Sequence, residues 1–90
     1  MNEVMEALKK SGAIDRFRES NERAIAGVRE KRKIKNWEPD KGSVKFAAAL
    51  ALSAELMKND ELRETFDNYA TGLTMDAIVN EIYKVVMEGK

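Results

Sequence analysis

The sequence predicts an all-α protein, a compact bundle of four to five helices around a central apolar helix at about residues 44–57. Three observations carry that expectation. Four segments repeat apolar residues three and four apart, which lines one face of a helix. The run Val44–Met57 is apolar on nearly every side, broken only by Lys45, Ser53 and Glu55, as befits a helix enclosed by others. Turn and capping residues separate these runs, with neither an internal repeat nor a low-complexity linker.

Taken in order, Met1, Val4, Met5 and Leu8 stand at i, i+3, i+4 and i+7 and predict a short amphipathic helix that closes the bundle like a lid. Ser11-Gly12 supplies its stop or the cap of the next helix. From Ala13 to about Lys35 a longer helix carries Ile14, Phe17, Asn21, Ala24, Ile25 and Val28 on one face. This stripe is barely two heptads, short of a sustained coiled coil, and Asn21 within it is the one hint of a polar register-setter. Asn36 to Ser43 then breaks the helix: proline disfavours helix at the preceding residue, Pro-Asp-Lys-Gly is turn chemistry, and Ser43 is positioned to cap the central helix.

Beyond the central run, Lys58-Asn59-Asp60 gives a turn and cap, and Glu61–Thr71 a short helix with Leu62, Phe66 and Tyr69 inward. Gly72 ends it and Thr74 caps the last helix. There Met75, Ile78, Val79, Ile82, Val85 and Val86 keep the helical period, which outweighs the strand preference of the β-branched residues among them.

Ninety residues make one domain, spanning residues 1–90, with a core large enough to fold alone. With no cysteine and no histidine, the chain lacks disulfides, thiolate chemistry, the usual general base and the commonest metal ligand. No signal-peptide apolar region opens the sequence, so a cytoplasmic, cofactor-free protein without membrane contact is expected. The formal net charge is zero, but residues 1–45 carry 12 Lys/Arg against 8 Asp/Glu and residues 46–90 carry 4 against 8. The two halves are thus expected to attract one another within the fold or across a dimer. Homodimer and monomer are equally compatible with the pattern.

Three groups of residues are candidates for function. The first is the basic run Arg29, Lys31, Arg32, Lys33 and Lys35 with Trp37 beside it, where cations can meet phosphates or acidic side chains and the indole can stack. Cations at a helix C-terminus are also favoured by its dipole and need no ligand. The second is the acidic set Glu61, Glu64 and Asp67, with Asp60 nearby. Helix-start acids explain it without a metal, since neither an EF-hand loop nor a Glu-x-x-His pair is present. It also opposes a helix-turn-helix reading, because it would set carboxylates against phosphate. The third, a catalytic site, finds no support: no nucleophile elbow and no phosphate loop occur.

The sequence therefore predicts no catalytic, cofactor-binding or metal-binding residue. It predicts a small protein-protein interaction module, an adaptor, inhibitor, immunity-type or assembly-chaperone protein of the build many phage and mobile-element accessory proteins share. The alternative is a nucleic-acid-binding accessory protein using the basic 29–35 segment.

Overall fold

In the computed structural model, which describes residues 2–69 and 75–89, five helices follow one another and no strand occurs among the described residues. They are α1 (Asn2–Lys10), α2 (Ala13–Arg32), α3 (Lys41–Lys58), α4 (Asp60–Tyr69) and α5 (Met75–Glu88). The predicted all-α bundle is present. Gly72 and Thr74, read from the sequence as a helix stop and a cap, lie outside the described residues.

Local chemistry sets each boundary. Gly12 takes φ +85°, a left-handed conformation that breaks α1 from α2, and a Cβ there would meet the Arg16 guanidinium. The Ser11 hydroxyl donates to the Leu8 carbonyl at 3.0 Å, occupying an acceptor at the end of α1. α2 ends at Arg32 rather than near Lys35. Lys33 turns left-handed (φ 60°), its N–H bonding to Glu30 O and the Ile34 N–H to Arg29 O, the paired closure of a Schellman stop. At α3 the cap is Asp40, not Ser43. The Asp40 carboxylate accepts from the Ser43 N–H at 3.2 Å and from the Ser43 hydroxyl at 2.7 Å, so the helix begins one turn earlier than the serine would place it. Those bonds hold the Asp40 carboxyl below its ordinary range. Asn59 caps α4 through its side-chain oxygen, which accepts from the Leu62 N–H at 3.0 Å.

The core joins all five helices: Val4, Met5 and Leu8 of α1, Ala13 and Ile14 of α2, Ala48 and Leu52 of α3, Leu62 of α4, and Ile78, Val79 and Ile82 of α5. The inward stripe expected of α1 is in place: Val4 and Leu8 are among the most deeply buried side chains, each 1 % exposed. α3, by contrast, is not enclosed. It packs on α2, α4 and α5 and buries Val44, Ala48, Leu52 and Glu55, but leaves Phe46, Leu50 and Met57 in solvent. In α4, Leu62 is buried and Phe66 half-buried, whereas Tyr69, expected inward, is exposed.

The molecule measures 45 × 22 × 19 Å. The fully buried residues of α2 fall in its first turn, and along its second half Ile25 and Val28 are only half-covered. Ion pairs that join the oppositely charged halves include Arg16 with Glu55 at 2.8 Å and Lys45 with Asp76 at 3.1 Å.

Candidate functional site

The two surfaces suggested by charge fold differently. At the basic end, the Schellman turn sends the chain back over the last turn of α2. The Arg29 Nε donates to the Trp37 carbonyl at 2.7 Å, its Nη2 lies 4.0 Å from Glu38 Oε1, and the Arg32 guanidinium stands 5.8 Å from the centre of the Trp37 ring. Trp37 is half-buried. Arg29 is thereby engaged with the Trp37 carbonyl and Arg32 with the indole, while Arg32, Lys31, Lys33 and Lys35 all remain exposed. Glu61, Glu64 and Asp67 are exposed along α4, and no group of three or more His, Cys, Asp or Glu among the described residues is arranged to hold a metal ion.

A third surface, which reasoning from charge passes over, lies on α3. Phe46, Leu50, Ser53 and Met57 follow one another at intervals of four, three and four, the spacing of a coiled-coil seam. At 100° per residue they centre about 180° from the buried line Val44, Ala48, Leu52 and Glu55, so the helix carries two opposed faces. The outer one is bare: Phe46 is 67 %, Leu50 59 % and Met57 81 % exposed. Phe46 borders a shallow recess of about 250 Å³ with Ala49, Met75 and Val79. On the other flank, Ala47, Ala51 and Ala54 line a groove of about 340 Å³ between α2 and α3, with Ile14 and Phe17 on its α2 side.

Polar groups elsewhere on α3 find partners within the chain. Arg16 grips Glu55 with two bonds, Nε to Oε1 at 3.0 Å and Nη2 to Oε2 at 2.8 Å, and Lys58 reaches the same carboxylate at 3.7 Å. The hydrogen bonds from Arg16 hold the Glu55 carboxyl below its ordinary range against the opposing effect of burial. Lys45 pairs with Asp76, and the Lys41 ammonium lies 5.1 Å from the centre of the Tyr83 ring. The result is an apolar strip along one helix, with a row of small residues on one flank and paired cations elsewhere on α3. Such a strip has no reactive group to offer. It can bury area against another apolar surface.

A signal for this face exists in the sequence: Phe46, Leu50 and Met57 share one side of the 44–57 run, and the side opposite is built of Val44, Ala48, Leu52 and Glu55. Compared with protein-family models, curated proteins and solved structures, the chain matches none. No described helix is long and apolar enough to cross a membrane.

Proposed function

We propose that this chain is a small non-enzymatic protein-binding module, acting stoichiometrically in the cytoplasm, and that it docks through the outward face of α3. The observation that carries the proposal is the bare heptad-spaced strip of Phe46, Leu50 and Met57. Three large apolar side chains in solvent on one helix face lower the solubility of a monomer, and covering them by a partner's helix or groove recovers their burial free energy. The absence of cysteine and histidine, the commonest thiol nucleophile and general base, favours binding over catalysis.

The second reading, nucleic-acid binding by the basic 29–35 segment, draws on the exposed Lys31, Lys33 and Lys35. It is weakened by the engagement of Arg29 and Arg32 with Trp37 and by the zero net charge. Affinity capture from the cells that encode the protein, with and without nuclease, separates the two. The docking reading predicts protein partners that survive nuclease, survive the triple substitution K31E/K33E/K35E, and disappear with Leu50→Lys. Partners lost with nuclease and with the lysine substitutions, but kept by Leu50→Lys, would establish the nucleic-acid reading instead.

A further inference from the structure

With no cysteine in the chain, methionine carries all of its sulfur. The methionines among the described residues sit in unlike surroundings. Met5 lies in the core at 7 % exposure, and the half-buried Met87 has its sulfur 3.1 Å from the Asn21 amide nitrogen that donates to it. Met57, by contrast, is 81 % exposed, the barest large apolar side chain among those described. Met75, also exposed, shares with Phe46 the recess beside the same face. Open thioether sulfur is thus gathered on the outer face of α3 and its margin, while the core keeps its own methionine covered. We propose that Met57 is a site of reversible oxidation, and that its sulfoxide closes the outer face of α3 to a partner. The second half rests on the docking reading and adds its regulation.

The oxidant is a peroxide. A sulfur lone pair attacks one oxygen of hydrogen peroxide, the S–O bond forms as the O–O bond breaks, and the departing hydroxide takes the proton of the transferred oxygen to leave as water. Sulfur loses two electrons and the peroxide gains them. A thioether has no proton to lose, so this step requires no neighbouring base, only an open approach to sulfur. Exposure therefore orders the rates, and Met5 must wait for the fold to open.

The product is polar where the thioether was apolar. Met57 is one of the three large side chains of the strip and stands at its C-terminal end. Its sulfoxide oxygen is a hydrogen-bond acceptor that an apolar partner surface must strip of water without supplying a donor. Met57 belongs to no part of the core, so the change alters the face and leaves the bundle intact. A partner already seated on the face covers Met57, and oxidation accordingly acts on the free chain.

Hydrogen peroxide added to the purified full chain, with each methionine read separately by peptide mass spectrometry, tests the site. Met57 should oxidise at least tenfold faster than Met5 and ahead of Met87, with the helical circular dichroism spectrum unchanged. Oxidation of Met57 no faster than that of Met5 would overturn the assignment. The effect on docking is read in nuclease-resistant capture at the peroxide dose that converts Met57. The oxidised natural chain should lose the partners that depend on Leu50, and methionine sulfoxide reductase should restore them. Met57→Gln, permanently polar, should lose them without peroxide, and Met57→Leu should keep them after it. Partners retained by the oxidised natural chain and by Met57→Gln would overturn the regulation. Capture that is indifferent to Leu50→Lys would instead remove the docking reading and the regulation with it, while the peroxide rates on pure protein decide the oxidation site by themselves.

Discussion

Glu55 is the one charged residue buried among those described, 8 % exposed, and its place in the apolar α3 run is explained by Arg16 across the α2–α3 contact. An ion pair of this kind forms only when the fold sets two residues 39 positions apart side by side, which periodicity does not encode. It has a pH consequence. The folded state holds the Glu55 carboxyl below its ordinary value near 4.5. Its stabilisation is therefore complete above that value and is lost as the pH falls through the depressed one. The urea midpoint of the natural chain should fall more steeply between about pH 5 and about pH 3 than that of Glu55→Gln. Asp40 contributes in the same direction through its cap bonds, so the difference between the two curves isolates Glu55. Parallel curves would show that the pair is not linked to folding. Asp40 teaches a related lesson: both Asp40 and Ser43 are cap residue types, and the choice between them depends on where the preceding turn releases the chain.

For the helices, existence and approximate bounds were legible because a 3.6-residue apolar period is a property of local sequence. Which side of a helix is covered is not. An apolar run on every side announces burial without saying by what, and in α3 the chain itself covers only one side. Neighbouring leucines should report the two sides. Leu52→Ala, in the core, should cost about 2–5 kcal/mol, while Leu50→Ala, at 59 % exposure, should change monomer stability by no more than about 0.5 kcal/mol, as chemical denaturation of dilute protein will measure. Ala48→Leu should overpack the buried line and cost about 1–3 kcal/mol. Equal costs at positions 50 and 52 would mean that α3 is covered on both sides within one chain. α1 is the legible case: nine residues are too few to be stable alone, yet the three apolar side chains that its period names, Val4, Met5 and Leu8, fill the core. Leu8→Ala should accordingly destabilise the whole domain by about 2–5 kcal/mol rather than fray one end, with loss of helical signal in a single transition.

At the scale of the molecule, the oppositely charged halves meet across α3 in Arg16–Glu55 and Lys45–Asp76, and three of the large apolar side chains left in solvent, Phe46, Leu50 and Met57, stand on the outside of the same helix. The candidate site was half legible. The basic run and Trp37 could be found from composition, but folding turns Arg29 and Arg32 onto the segment immediately C-terminal to them. The residues of the docking face were in view as a supposed core, and only the tertiary arrangement assigns them to the surface.

The central claim, that this outer face of α3 is covered by another protein in the cell, is tested most directly by thiol labelling at position 50. With no native cysteine in the chain, Leu50→Cys and, as a control, Lys33→Cys are each the sole thiol. Position 50 should label at least tenfold more slowly in cells than in dilute pure protein, with position 33 alike in both. Equal rates at position 50, or protection at position 33 alone, would contradict the account.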